Sequence, residues 1–445
     1  MKNVAVVSLG CDKNRIDTEH ALYRLVRGGF AVSDIDDADV IIINTCAFIE
    51  SAREESIDTI LSCAQLKKTG KCKKLIVTGC LPQKYRDELV DSLPEVDAFL
   101  GAFDYDNIVD IANGADCASE SVATGNTEKS NEIFYQAENC GRMLTTYPHV
   151  AYLKIAEGCN NKCTFCTIPS IRGAYRSRPV ADIFAEAQSL AADGVKELIL
   201  VAQDVSRYGC DIGSSLMQLL EELEKLPVMI RLLYCYPEQI TDELIQKIAQ
   251  SDKIAKYIDI PVQHCSDKIL KLMNRKTTRN ALEKLIKKLH ASGIVVRTTL
   301  MVGFPGETQK DFDELCDFVQ KVKPEYAGVF AYSKEEDTPS AWLPAQVGKS
   351  DKIKRVNALG RVCAAVTKEF NSKQVGKTLR VMYEDVDFDK NKFVGRADFQ
   401  APEVDGVVYF TGSDLEVGKY YDVLITRSNN YDLYGKVGKI GGDNK

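Results

Sequence analysis

The sequence predicts an α/β protein in three parts: an N-terminal doubly wound parallel sheet domain (1–115), a central partial (β/α)6 barrel (146–371) and a small antiparallel β-barrel (372–445), with a linker over 116–145. Three observations carry this. Apolar strands alternate with amphipathic helical stretches in two separate series. A polar stretch without a clear period, including ASESVATGNTEKSNEIF, divides the two series. From about Gly376 the pattern changes to short alternating strands bounded by Asp and Gly turns. A chain of 445 residues is also too long for one core, so each part buries its own apolar interior.

In the first series VAVVSLGC (4–11) precedes DTEHALYRLVRGG, VIIINTC (40–46) precedes IESAREESIDTILSCAQL, and KLIVTGC (74–80) precedes PQKYRDELVDSL. These strands are apolar throughout, as expected where helices cover both faces of a parallel sheet. The second series runs YLKIAEG, ELILVAQD, MIRLLYCYP, YIDIPVQ, IVVRTTLMVGFPG and YAGVFAYS, about six βα units. That number suits a barrel or partial barrel whose working residues lie on loops after the C-terminal ends of its strands. TLRVMYED, KFVGRADF, GVVYFTG and YYDVLITRS supply the strands of the last part.

Composition narrows the function classes. With 45% apolar residues and no uninterrupted apolar run near the length of a membrane span, no transmembrane helix is expected, and MKNVAVV enters a strand instead of a signal peptide. A cytoplasmic protein is the expectation. A net charge of -7 without a basic tail gives no global footprint for nucleic acid. A local patch from Arg172, Arg176 and Arg178 stays open, as does their ion pairing at the start of the helix after Pro179. From Ser372 onward 11 Lys and Arg face 12 Asp and Glu, so the C-terminal barrel lacks the basic excess that phosphate contacts favour. Fifteen cysteines are many for a reducing compartment, yet they lack the dense spacing of a disulfide scaffold; metal or cluster ligation accounts for some of them.

EGCNNKCTFCTIPSIRG places Cys159, Cys163 and Cys166 directly after the first strand of the second series. Three thiolates so close on one loop suit three corners of a cubane iron-sulfur cluster with the fourth iron left open. A zinc knuckle is the alternative, but no fourth Cys or His follows at ligand spacing. Cys11, Cys46 and Cys80 stand 35 and 34 residues apart, one βα unit each, and each follows an apolar strand. In a parallel sheet those strand ends share one edge, so the three thiols are expected to converge. A single cysteine there reads as a small buried residue. Three in register read as a second cluster site, with zinc completed by His20 or a water as the runner-up. The other nine, Cys63, Cys72, Cys117, Cys140, Cys210, Cys235, Cys265, Cys316 and Cys363, share no such spacing and are taken as core or surface thiols.

The C-x3-C-x2-C loop, with Phe165 before its last cysteine and six βα units around it, resembles the radical S-adenosylmethionine enzymes. The resemblance implies a [4Fe-4S] cluster whose open iron chelates S-adenosylmethionine, cleaved by one-electron reduction to a 5'-deoxyadenosyl radical. MVGFPGET (301–308) resembles the family's Gly-rich segment near the adenine, which makes Gly303, Gly306 and Glu307 candidate contacts beside Phe165; an ordinary turn is the alternative. Gln203 is a candidate for the cofactor's polar tail, or a solvated loop amide.

An N-terminal three-cysteine domain, a radical core and a C-terminal barrel like the TRAM module together resemble the methylthiotransferases over essentially the whole chain. That resemblance implies two [4Fe-4S] clusters and two molecules of S-adenosylmethionine, one methylating a sulfur held at the auxiliary cluster and one generating the radical. CDKNRIDTE, TCAFIESAREESIDTIL, AQDVSRYGCD and RLLYCYP resemble the branch that modifies the β-carbon of an aspartate in the twelfth small-subunit ribosomal protein. Asp12 departs from that pattern, where a proline is usual. The implied partners are that ribosomal protein, free or within the ribosome, and a reductant protein or flavodoxin-type electron donor; no membrane is implied and tRNA is not the expected partner. A tRNA adenosine methylthiotransferase and a non-catalytic metal-binding ribosome-associated protein are the rival readings.

Overall fold

The computed structural model describes residues 1–115 and 141–438; most of the expected linker, together with Cys117 and Cys140, lies outside the described residues. The N-terminal unit is built from β1 (Lys2–Ser8), α1 (Asp12–Arg27), β2 (Phe30–Val32), β3 (Val40–Thr45), α2 (Glu50–Thr69), β4 (Lys74–Gly79), α3 (Cys80–Ser92), β5 (Ala98–Phe99) and α4 (Ile108–Asn113). All five strands run parallel in the order β2-β1-β3-β4-β5. Ile41, Ile43, Leu75 and Val77 pack on one face with Ile60 and Ala64 of α2 and Leu81 and Leu89 of α3. Val4, Val40, Ile42 and Ile76 pack on the other with Ala21 and Leu25 of α1 and Ile108 and Ile111 of α4. Helices on both faces explain why VIIIN is buried at every position.

The central unit opens with β6 (Val150–Lys154), β7 (Ala156–Glu157), α5 (Ile168–Arg172), β8 (Arg176–Ser177), α6 (Val180–Ala192), β9 (Glu197–Val201), α7 (Leu216–Leu223) and β10 (Met229–Leu232). It continues with α8 (Asp242–Gln250), β11 (Ile254–Asp259), α9 (Asp267–Leu272), α10 (Arg279–Ala291), β12 (Val295–Val302), α11 (Gln309–Val322), β13 (Tyr326–Ala331) and α12 (Lys349–Ser372). Six parallel strands form an open sheet in the order β13-β12-β11-β10-β9-β6. Its outer face carries the helices over one large apolar core. Its inner face forms a separate core from Val150, Tyr152, Ile199, Val201, Tyr257 and Tyr326, into which Ile16 of α1 is also packed.

The C-terminal unit is a closed barrel of β14 (Thr378–Asp387), β15 (Lys392–Ala397), β16 (Val408–Thr411), β17 (Tyr420–Ser428) and β18 (Leu433–Val437) in the order β14-β15-β16-β18-β17. The expectation of four antiparallel segments misses β18, which closes the barrel by pairing parallel to β16. Met382 and Ala401 of this unit enter the inner-face core of the central sheet. Buried ion pairs join the two: Arg396 bonds Glu197 and Glu384 at 2.6 Å each, and Arg231 bonds Glu197 at 2.6 Å. Among the described residues, no helix is long and apolar enough to cross a membrane.

Candidate active site

The parallel register brings the C-terminal ends of the three cysteine strands to one sheet edge. β3 and β4 pair from Val40↔Lys74 to Thr45↔Gly79, and β1 pairs with β3 up to Ser8↔Asn44. Cys46 and Cys80 are the next residues along their strands, and Cys11 follows three residues after β1. A Cβ placed on Gly10 would lie 3.2 Å from the Cys46 sulfur, so the Cys11 loop passes directly over Cys46. Gly79, at φ +99, turns the chain from β4 into α3 where a side chain would strike Asn44 Oδ1 at 2.3 Å. The polar residues at these strand ends are clamps. Asn14 Nδ2 donates to the carbonyls of Leu9 (3.1 Å) and Thr45 (3.0 Å), and Asn44 Nδ2 donates to the Asn14 carbonyl (2.8 Å) and Thr18 Oγ1 (2.9 Å).

Cys159, Cys163 and Cys166 lie on the loop between β7 and α5, pinned by backbone bonds from Cys159 to Gly173 (3.1 Å) and Thr164 to Met273 (3.1 Å). The Tyr236 hydroxyl stands 2.9 Å from Cys163 Sγ, and the Arg275 guanidinium stacks 3.7 Å over the Tyr236 ring. Burial pushes the Cys46 and Cys166 thiols up to about 12 and raises Cys80 and Cys159 as well. Thiolates form in such surroundings when a cation stands beside them, so both sulfur-only donor sets suit a metal centre that takes the place of their protons. Among the described residues, no three Cys, His, Asp or Glu groups meet closely enough to share a single ion. His20, the candidate fourth zinc ligand, is buried among Glu186, Arg142, Arg178 and Lys154, and burial holds its imidazole down to about 3.

One side chain ties the cysteine domain to the strand that leads into the second cysteine loop. Arg172, the last residue of α5 and fully buried, donates through Nη2 to Asn14 Oδ1 (2.6 Å) and Cys80 Sγ (3.4 Å). Through Nη1 it reaches Asp17 Oδ2 (3.0 Å) and Glu157 Oε2 (3.3 Å). Lys154 bonds the same two carboxylates, at 3.0 Å for Glu157. Asp17 comes from α1 of the cysteine domain, and Glu157 stands two residues before Cys159. The first turn of α1 also meets the loop after β10: Tyr234 donates to Asp12 Oδ2 (2.7 Å), and two residues later Tyr236 reaches Cys163. Of the three arginines raised as a patch for nucleic acid, Arg172 and Arg178 are buried, Arg178 pairing with Glu186 at 2.7 Å, and Arg176 is half-buried, so the ion-paired alternative holds for the first two.

Of the candidate cofactor contacts, Phe165 packs edge-on against Phe304 at 6.4 Å, which brings it to the turn holding Gly303, Gly306 and Glu307. Glu307 is spent inside that turn: it accepts from the Gly303 amide (2.7 Å), the Phe304 amide (3.3 Å) and Arg355 (2.7 Å). Gln203 sits apart, at the end of β9, donating to Glu157 Oε1 at 2.6 Å, with its own Oε1 buried and without a partner among the described residues. Sequence reasoning missed Lys154, Glu157, Asp17 and the two tyrosines. Two charged residues inside the otherwise apolar YLKIAEG were the available signal, because a buried strand keeps charge only where it is paired. Of the remaining cysteines, Cys63, Cys72, Cys235, Cys265 and Cys363 are buried, Cys316 is partly so and Cys210 is exposed.

An open six-stranded parallel barrel with three cysteines on its first loop, docked against a second three-cysteine edge, defines a radical S-adenosylmethionine enzyme. Residues 153–319 match the radical SAM superfamily, 3–101 a family described only as uncharacterized (UPF0004), and 375–437 the TRAM domain. The methyltransferase TsrM from Kitasatospora setae, solved with cobalamin and a [4Fe-4S] cluster, has the same fold over 76% of this chain and 74% of its own, with TM-score 0.56 at 15% identity. The ribosomal protein uS12 methylthiotransferase RimO of Clostridioides difficile is 46% identical over 98% of this chain and 99% of its own length. That of Desulforamulus reducens is 44% identical over 98% and 100%. The chain belongs to this RimO methylthiotransferase family.

Proposed function

We propose that the chain methylthiolates the β-carbon of an aspartate in ribosomal protein uS12, with Cys159, Cys163 and Cys166 holding one [4Fe-4S] cluster and Cys11, Cys46 and Cys80 the other. The observation that carries this is Arg172, whose guanidinium touches Cys80 of one set and the Glu157 that leads into the other. A reaction that opens a C–H bond and closes a C–S bond at one carbon needs two centres held at a fixed separation. When bound, the clusters and S-adenosylmethionine supply what no side chain can, homolytic removal of hydrogen from carbon and delivery of sulfur and methyl. The chain's own residues orient these groups. Phe165, Gly303 and Gly306 form one wall for S-adenosylmethionine, Glu307 keeps that wall in shape through its backbone bonds, and Gln203 offers its unpartnered carbonyl. Tyr236 bonds the Cys163 sulfur and Arg172 the Cys80 sulfur, and no acid-base residue is required.

The reaction belongs in the cytoplasm, where a flavodoxin-type reductant supplies electrons and uS12 is met free or within the ribosome. The test is incubation of the reconstituted protein with S-adenosylmethionine, a low-potential reductant and a uS12 fragment. The expected product carries one methylthio group on the aspartate by mass spectrometry. A methylthio group on tRNA adenosine instead, or purified protein with zinc and no sulfide, overturns the reading.

A further inference from the structure

The first two turns of α1 bring Asp12, Lys13, Asn14 and Asp17 to the contact with the central unit, and three of these side chains are consumed. Asp12 accepts from Tyr234, Asn14 is bonded on both sides, and Asp17 pairs with Lys154 and Arg172. Lys13 is the fourth. It is only 8% exposed, and its ammonium, 3.5 Å over the ring of Tyr234, makes no hydrogen bond or ion pair among the described residues. Asp259, whose carboxyl feels the Lys13 charge, is already taken by the Tyr234 amide (3.0 Å) and Arg297 (3.3 Å).

Burying an ammonium without an anion is costly, and a ring face replaces only part of its hydration. Such a group is retained where a ligand completes it. Its position says which ligand. Lys13 is two residues from Cys11, and the ring beneath it is two residues from Tyr236, which touches Cys163. Lys13 is thus joined through α1 to a residue of one cysteine set and through the Tyr234 loop to a residue that touches the other, and the reacting carbon has to come to the region that both sets share. Cys11, the residue before α1, makes no side-chain capping bond, so the first-turn amides add their own positive field on the same side.

We propose that Lys13 binds the side-chain carboxylate of the substrate aspartate and so selects an acidic residue for modification. This rests on the uS12 reading above. The other carboxylate in reach is that of S-adenosylmethionine, and the test separates the two.

The reconstituted protein is titrated with labelled uS12 fragments carrying either the natural aspartate or asparagine, and separately with radiolabelled S-adenosylmethionine. Wild type is expected to bind the aspartate fragment about tenfold more tightly than the asparagine one. Lys13→Met brings that ratio to about one while leaving the asparagine fragment and S-adenosylmethionine binding unchanged, and Lys13→Arg restores part of the preference. A preference kept in Lys13→Met overturns the proposal, as does its absence in wild type. Loss of S-adenosylmethionine binding with the preference intact assigns the cofactor's carboxylate instead and also overturns it. If Lys13→Met does not take up both clusters, the wild-type ratio and Lys13→Arg decide. A wild type that modifies the fragment while Lys13→Met keeps its preference sinks this inference alone; a wild type that neither binds nor modifies it sinks the uS12 reading.

Discussion

Arg172 has four partners on the two terminal nitrogens of one planar group, Asn14, Cys80, Asp17 and Glu157, and only a guanidinium can hold that geometry. Replacing it by methionine takes from Asp17 and Glu157 one of the cations that both carboxylates share. Breaking a buried pair from one side costs about 3–5 kcal/mol, so Arg172→Met is expected to lower the urea midpoint sharply. Arg172→Lys keeps the charge but cannot reach Cys80 and Glu157 together, and it should recover part of that loss. Tyr236 acts on one sulfur only. A hydrogen bond to a cluster thiolate stabilises the reduced state, so Tyr236→Phe is expected to make the potential of the Cys159, Cys163, Cys166 centre more negative in an EPR-monitored redox titration. The Cys11, Cys46, Cys80 centre should stay where it is. Equal movement of both potentials would show that Tyr236 works through general packing.

At the scale of elements, the cysteine edge is a product of register. β1, β3 and β4 are neighbours and end level, and Gly79 lets the chain leave β4 in a direction a side chain would block. Gly79→Ala puts a methyl group against Asn44 and the Thr45 backbone and forces an L residue to φ +99, a strain of about 1–3 kcal/mol. Cys80 moves with it. The expected result is protein that retains the iron of one cluster but loses much of the other, read by iron and sulfide analysis. The six strands of the barrel and the three cysteine strands were legible because largely apolar stretches recur in alternation with amphipathic helical ones, a pattern that carries more than any one strand does. β2, β5 and β18, at 3, 2 and 5 residues, carry too little pattern to be read. The cysteines were legible because their period matches the βα unit. The Arg172 bridge was not, since Asp17 and Cys80 lie 155 and 92 residues away from it and nothing local marks them as partners.

In the whole molecule the three units are joined by buried charge as well as by apolar contact. Glu157 and Arg172 link the cysteine domain to the barrel, Glu19 and Glu186 share Arg142, and Glu197 holds Arg396 of the C-terminal unit. Burial works to raise the carboxyls of Glu157, Glu186 and Glu197, but Lys154 and Arg172, Arg178 and Arg142, and Arg231 and Arg396 outweigh it and hold each down to about 2. An acid whose folded pKa lies below its ordinary 4.5 stabilises the fold above that pH, and the contribution is lost as pH falls toward 2. Asp259 and Asp405, raised by burial, work in the opposite sense and soften the fall without reversing it. The urea midpoint is therefore expected to hold from pH 7 to about 5 and then drop steeply. Glu197→Gln separates the junction from the rest: it leaves Arg396 and Arg231 short of an anion and costs about 3 kcal/mol at pH 7. Its deficit against wild type should shrink as both approach pH 2, because by then wild type has protonated the same carboxylate. A deficit independent of pH would mean that Glu197 contributes by shape and not by charge.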